Sequence, residues 1–304
     1  MNDISVVIVS FNTKALLGAC LKSLFAQAGR LTMEVVVIDN ASTDGSIEMM
    51  TKEFPQVTLI VNRENVGFAK ANNQALRQVT GRYLLLLNSD TVVLDQAVLK
   101  MVNWMDAHPK TGIATCQLLN KDGSIQPSGG YFPTLDRVLA WMVFLDDLPF
   151  IGPKLTSFHP HPPQFLGAGS FYTKEHYQDW VTGAFLLMRR DVFSEVGLLD
   201  EAFFMYVEEM EYCYRAKKAG FAVAYVPSAH IIHYGGASSG QASKVSILGE
   251  YRGLAYFYQK HFSPLHQSLL WFLLKLGAFL RLVIFGILMA RSQEREAYAQ
   301  ALRS

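Results

Sequence analysis

Ile4-Ser5-Val6-Val7-Ile8-Val9-Ser10-Phe11-Asn12 decides the fold. A β-branched apolar run without alternation reads as a strand buried on both faces, and it stops at a polar Ser-Phe-Asn turn. Working outward, Leu16, Leu17, Cys20, Leu21, Leu24 and Phe25 have helical spacing over Lys14–Gln27. Glu34–Ile38 is a second strand, ending at the turn- and cap-rich loop Asp39-Asn40-Ala41-Ser42-Thr43-Asp44-Gly45. A helix over Ser46–Phe54, a strand over Val57–Asn62, a helix over Phe68–Thr80 and a strand over Tyr83–Leu87 continue the pattern. Strands alternating with helices imply an α/β, Rossmann-like, mostly parallel sheet flanked by helices. Such sheets bind ligands beyond the C-terminal strand ends, where strand order reverses. Ser10–Asn12, Asp39–Asp44 and Asn88–Asp90 occupy those ends and should meet in one crevice.

The pattern weakens from Asn120 to Trp180, where Pro, Gly, His and aromatic residues accumulate, as in His159–Pro163 and Gly167-Ala168-Gly169. This reads as a partly irregular insertion near the site. A strand over Gly183–Met188, helices over Arg190–Val196 and Glu209–Ala219, and a strand over Ala222–Val226 ending at Pro227 follow. The expected division is a nucleotide-binding half (1–118), an acceptor-binding half (119–240) and a C-terminal apolar helical region (241–304). The 304 residues are half apolar and carry a net charge of +1, so nothing global points to nucleic acid. The tail from Lys244 onward has eight Lys/Arg against three Glu. Its apolar block, 265–290, is interrupted by Lys275 and Arg281, which argues against a clean bilayer span. An in-plane helix or hairpin at a membrane surface is expected, with a protein-buried helix or a homodimer contact as the alternatives. Cys20, Cys116 and Cys213 form neither a metal-ligand pair nor a disulfide framework, and read as buried thiols. No leader pattern is visible, and the expected location is the cytoplasm, at the inner face of the cell membrane.

Five constellations carry chemistry. The carboxylates of Asp39 and Asp44, beyond a buried strand, suit ribose hydroxyls or base imide N–H groups, with helix capping as the structural alternative. Asn65-Val66-Gly67-Phe68-Ala69-Lys70 sets a glycine before a helix whose N-terminus attracts phosphate, and Lys70 adds charge. In Asn88-Ser89-Asp90, Asp90 is the obvious oxygen ligand for a hard divalent cation; a capped turn is the bland reading. Glu208, Glu209 and Glu211 crowd three carboxylates into four positions among Phe203, Phe204, Met205, Tyr206 and Met210. Mutual repulsion raises at least one pKa, and a carboxylate there could take a proton from an acceptor hydroxyl. His230-Ile231-Ile232-His233-Tyr234-Gly235-Gly236 offers a histidine for a metal or diphosphate, although a lone histidine is more often structural.

In this order the motifs resemble family 2 glycosyltransferases with the GT-A fold, particularly the bacterial rhamnosyltransferase-like branch. The resemblance runs from Ser5 to about Ser239. It rests on Val7–Asn12, Val37–Ser46, Asn65–Ala69, Leu87–Asp90, Gly183–Arg190 and Phe203–Glu209. It implies a donor nucleotide against Ser10, Phe11, Asn12, Asp39, Asn40 and Asp44, with Asn65, Gly67, Phe68 and Lys70 nearby. Asn88, Ser89 and Asp90 belong to the same implied donor site, and Asp90 would hold Mg²⁺ or Mn²⁺ on the diphosphate, with His233 reaching the metal or the diphosphate. Asp90 stands at the last position of the family's Asp-x-Asp motif, and Asn88 replaces the first acid. Glu208-Glu209 stands for the Glu-Asp pair, with Glu209 the first choice as base and Glu208 the second.

The implied reaction is a metal-dependent, inverting transfer from a dTDP- or UDP-sugar, with rhamnose as the sugar. The acceptor is a saccharide or a polyprenyl-linked glycan used in cell-surface polysaccharide synthesis. Trp180, Gly183 and Glu211 would shape the acceptor side. A nucleotide-sugar-binding protein without catalysis is the competing reading, motivated by Asn88 and the Glu-Glu pair. No Gly-x-Gly-x-x-Gly follows the first strand, which sets aside a dinucleotide oxidoreductase.

Overall fold

The computed structural model describes residues 2–163, 171–235, 242–288 and 292–303. Gly167–Gly169, Gly236 and the last two residues of the 265–290 block lie outside them. The first seven elements follow the expected alternation: β1 (Ile4–Ser10), α1 (Lys14–Ala26), β2 (Met33–Asp39), α2 (Ser46–Glu53), β3 (Thr58–Val61), α3 (Phe68–Leu76) and β4 (Tyr83–Asn88). The sequence pattern assigns nothing between residues 91 and 119, where the chain forms β5 (Thr91–Val93), α4 (Ala97–Ala107) and β6 (Thr111–Leu119). Within the 120–180 insertion lie β7 (Ile125–Gln126), β8 (Gly129–Gly130), α5 (Leu135–Met142), β9 (His176–Gln178) and β10 (Trp180–Val181). Then come β11 (Phe185–Arg189), α6 (Arg190–Val196), α7 (Glu208–Lys218), β12 (Ala222–His233), α8 (Ala242–His261), α9 (Pro264–Arg281) and α10 (Ser292–Arg303).

The main sheet has the order β3-β2-β1-β4-β11-β6-β12-β5, with β1 parallel to both β2 and β4. The chain therefore reverses direction of growth between β1 and β4, and the ends of these strands open the expected crevice. Val6 and Ile8 face a core built with α1 and α4, while Val7 faces a second core with α3, α6 and α7. That two-sided burial is why β1 shows no polar alternation. β11 runs antiparallel between β4 and β6.

β12 departs from expectation: it does not stop at Pro227 but runs on to His233. Its pairing with β6 shifts register between Val226 and His230. A bulge is where a sheet tolerates a proline that cannot donate to the ladder. The extension pairs antiparallel with β5, setting His233 opposite Thr91 and so beside Asp90.

A third core joins α5, α8, α9 and α10 to Phe203, Val207 and Met210 at the start of α7. Glu211 fastens this layer. It is 0% exposed and accepts from Arg215 Nε at 2.9 and 3.0 Å, Lys260 Nζ at 2.8 Å and His261 Nε2 at 3.0 Å. All three cysteines are buried and free.

Candidate active site

A cavity of about 230 Å³ opens at the β1–β4 strand ends. It gathers Phe11, Asn40, Asn65, Gly67, Phe68, Asn88, Ser89, Asp90, Gly183, Glu208, Glu209 and His233 from the sequence candidates. Residues from β1, the turn after β2, β4, α3, α7 and β12 thus share one space, whereas Asp39 does not line it.

The floor is held by hydroxyls. Ser10 Oγ lies 3.0 Å from Thr13 Oγ1, which donates to Ser89 Oγ at 3.0 Å, all buried. Ser10 thereby supports the cavity from beneath without lining it. On one wall, Asn40 Nδ2 donates to Asn65 Oδ1 at 3.2 Å and to the Gly67 carbonyl at 3.3 Å, and Asn65 Oδ1 accepts from Gly67 N–H at 3.0 Å. Gly67 has φ +84°, and a Cβ there would stand 2.4 Å from the Phe204 carbonyl. That carbonyl accepts from Phe68 N–H at 2.8 Å, so only glycine lets α3 start against the segment leading into α7.

Asp39 is 1% exposed; its Oδ1 accepts from Ser42 N–H at 2.7 Å, while its Oδ2 is buried with no partner. A buried carboxylate oxygen left unsatisfied is costly, and a ligand donor would relieve it. Asp44 is placed differently. It accepts from Lys14 N–H at 2.8 Å and Ser46 N–H at 3.0 Å, tying the starts of α1 and α2 together outside the cavity. These bonds hold its carboxyl below the usual range against the opposing effect of burial. Asn12 is also exposed outside the cavity, its Oδ1 accepting from Thr43 N–H at 2.8 Å. Lys70 is exposed on α3. Glu211 is consumed by the ion pairs described above. His230 pairs with Asp95 at 3.1 Å, away from the cavity.

Asp90 Oδ1 and His233 Nε2 are 3.3 Å apart, and Asn88 Nδ2 stands 3.3 Å from the same nitrogen. His233 Nδ1 meets Gln126 Oε1 at 2.6 Å. Gln126 Nε2 in turn donates to Asn120 Oδ1 at 3.0 Å and to the His233 carbonyl at 3.4 Å, which fixes the amide's orientation. Gln126 thereby fixes the ring and turns Nε2 toward Asp90, where a cation could reach both side chains. Gln126 escaped the sequence reading, since a two-residue strand 107 positions from its partner carries no local signal. Among the described residues no group of three or more His, Cys, Asp or Glu converges on one point. Asp90 and His233 would thus supply two ligands to a hard cation whose remaining ligands came from outside the protein.

Opposite stands the start of α7. Tyr206 and Val207 have φ of 73° and 74°, a left-handed pair that costs about 1–3 kcal/mol per residue. Such strain at a β-branched residue persists where the surroundings impose it, and here it swings both glutamates into the crevice. Glu208 is 3% exposed; burial first, and the neighbouring Glu209 charge second, push its carboxyl well above the usual range. Burial also raises Glu209, partly offset by the backbone amides of Glu209 itself and Gly183. The Oε2 atoms of both are buried without partners.

Glu209 also lines a second cavity, of about 260 Å³, which shares Thr182 and Tyr206 with the first. Trp180 lines only this second cavity, its Nε1 donating to the Tyr131 carbonyl at 3.1 Å. Gly183 lines the first.

The model of the family described as Glycosyl transferase family 2 matches residues 5–197. An N-acetylglucosaminyl-diphospho-decaprenol L-rhamnosyltransferase of Mycobacterium tuberculosis is 28% identical over 259 residues, 79% of each chain. The rhamnosyltransferase WbbL of Escherichia coli is 27% identical over 177 residues, 55% of this chain and 61% of that one. Among solved structures, the mannosyltransferase PcManGT of Pyrobaculum calidifontis, in complex with GDP-Man and Mn²⁺, superposes with a TM-score of 0.57 at 15% identity. The match covers 99% of this chain and 86% of that one. The fold is GT-A.

Proposed function

The chain belongs to glycosyl transferase family 2, and on that footing we propose that it is a metal-dependent, inverting rhamnosyltransferase acting on a lipid-linked saccharide. One observation carries the chemistry: Glu209 stands between two adjoining cavities, and the first also holds Asp90 and His233. The first cavity takes the nucleoside-diphosphate sugar, with dTDP-rhamnose the leading donor and UDP-hexoses the alternative. The second takes the acceptor.

Asp39 Oδ2, the unsatisfied oxygen at the end of β2, accepts from the nucleoside. Phe11 and the Asn40–Asn65–Gly67 wall bound the nucleotide's position. Glu209 takes the proton of the acceptor hydroxyl, and that oxygen bonds to the anomeric carbon from the face opposite the diphosphate. The bond from the anomeric carbon to the diphosphate breaks, and the diphosphate leaves with the electron pair. A raised pKa matches a carboxylate to proton abstraction near neutrality. Asp90 and His233 would hold a divalent cation, Mg²⁺ or Mn²⁺, which when bound supplies positive charge to the leaving diphosphate.

The names of the M. tuberculosis and E. coli relatives support rhamnose, and the former supports a polyprenyl-diphosphate-linked N-acetylglucosamine as acceptor. The tail supports a membrane-surface location. Among the described residues one helical stretch, Pro264–Phe285, is long and apolar enough to cross a bilayer, with a mean hydropathy of 1.9. Its two charges are spent on protein: Arg281 is 5% exposed and donates to the Trp141 and Met142 carbonyls, and Lys275 donates to the Ala301 carbonyl. The helix is thereby fastened along one side to α5 and α10. Leu265, Leu269, Trp271, Phe272 and Phe279 stay exposed, joined by Phe150 beyond α5 at 87%. This favours an in-plane contact over a span.

The test is nucleotide release from dTDP-rhamnose and a panel of UDP-hexoses, with Mn²⁺ and a short-chain lipid-diphosphate N-acetylglucosamine. Acceptor-dependent release, abolished by EDTA and giving a product of inverted anomeric configuration by NMR, is expected. Binding without release from any donor would establish the non-catalytic reading instead.

A further inference from the structure

One wall of the second cavity lies outside both the motifs and the family match. It is helix α8, beyond residue 197 where that match ends. Ser246 and Glu250 of α8 face Phe158, His159 and Trp180 of the 120–180 insertion, and Glu209 lies between these walls and the donor cavity. His159 Nε2 is 2.6 Å from Glu250 Oε1. The His159 ring is wedged among aromatics, its centroid 4.0 Å from Phe158, 5.1 Å from Trp141 and 5.8 Å from Trp180. Its orientation is therefore set by packing, and it holds Glu250 in place. An ionised carboxylate has acceptor sites for about four hydrogen bonds, so one bond from His159 leaves capacity facing the cavity.

Aromatic faces with a fixed carboxylate nearby are what a pyranose needs: its C–H face packs on a ring while its hydroxyls donate to the acid. A volume of about 260 Å³ suits one sugar residue. We propose that this cavity holds the acceptor sugar, with one hydroxyl at Glu209 for reaction and another read by Glu250, which makes Glu250 the specificity-determining residue and His159 its positioning residue. The inference rests on the transferase reading and names residues that reading does not need. It makes acceptor choice a property of the C-terminal layer, so the buried Glu211 cluster that docks α8 on α7 also sets the acceptor site's shape.

The experiment uses the full chain with dTDP-rhamnose, Mn²⁺ and a panel of octyl pyranosides (N-acetylglucosaminide, glucoside, galactoside, mannoside) as probes. Glu250→Ala and Glu250→Gln should each raise the acceptor KM at least tenfold and flatten the ranking of the panel. His159→Gln should do so more weakly. Donor affinity by calorimetry should stay within twofold, which also reports that each variant is folded. Unchanged acceptor KM and ranking in a turning-over Glu250→Ala overturns this inference alone, as does loss of donor affinity in step with acceptor use. Wild-type protein that turns over neither the panel nor a short-chain lipid-diphosphate N-acetylglucosamine overturns the transferase reading and this inference with it.

Discussion

Glu211→Ala should cost stability and spare donor binding. The carboxylate is fully buried and satisfies three cationic or polar partners drawn from α7 and α8. Removing one side of a buried pair costs about 3–5 kcal/mol, because the remaining charge is stranded. The structure argues for the lower edge. Arg215 retains the Val196 and Leu198 carbonyls at 2.7 and 2.9 Å, and Lys260 retains Asp200 at 2.6 Å. About 3 kcal/mol then corresponds to a fall in Tm of roughly 5 °C for a chain of 304 residues. Burial lowers the His261 pKa, so its ring stays neutral near pH 7 and adds little stranded charge. Differential scanning calorimetry gives the Tm, and calorimetric titration with donor nucleotide at 10 °C gives the affinity. Glu211→Gln keeps one acceptor oxygen and should fall by less. An unaltered Tm with lost transfer would refute the structural role and return Glu211 to the sugar-binding set.

Two further outcomes follow from the site. Glu208→Gln should be more stable than wild type at pH 8 and equal to it at pH 4. Glu208's folded carboxyl holds its proton above the ordinary value of 4.5, so the native state is penalised as pH rises through and beyond that value and not below it; urea melts at both pH values measure this, and a gap that widens toward acid would contradict it. Gln126→Leu should weaken Mn²⁺ binding about 10–100-fold by releasing the His233 ring, read by Mn²⁺ titration in the presence of nucleoside diphosphate; unchanged affinity would remove Gln126 from the support of that ring.

Much of the first cavity was legible because several of its groups sit at the ends of buried strands, and buried strands announce themselves by composition. Topology alone predicts that Ser10–Asn12, Asp39–Asp44 and Asn88–Asp90 meet, and the cavity takes in Phe11, Asn40 and Asn88–Asp90 from them, while Asn12 and Asp44 lie outside it. Within those clusters, however, sequence could not separate a side chain turned to the crevice from one turned to the backbone. Asp39 and Asp44 look alike on the page, yet one keeps a buried oxygen unsatisfied and the other joins two helix starts. Glu209 and Glu211 are two positions apart on a helix and so point to different sides, one to the cavities and one to α8. The extension of β12 past Pro227 was hidden because a proline reads as a stop unless the bulge is known. Least legible were the polar groups that pair across large separations: His159 with Glu250 at the second cavity, and Gln126 with His233 at the first.

The most direct measurement is single-turnover transfer by Glu209→Gln, with donor affinity determined on the same preparation. A group that removes the acceptor proton in the transition state should lower the rate by about 10²–10⁴-fold, while donor Kd stays within twofold of wild type. Wild-type rates from this variant would contradict the assignment of Glu209, and with it the claim that the two cavities meet at one reacting centre.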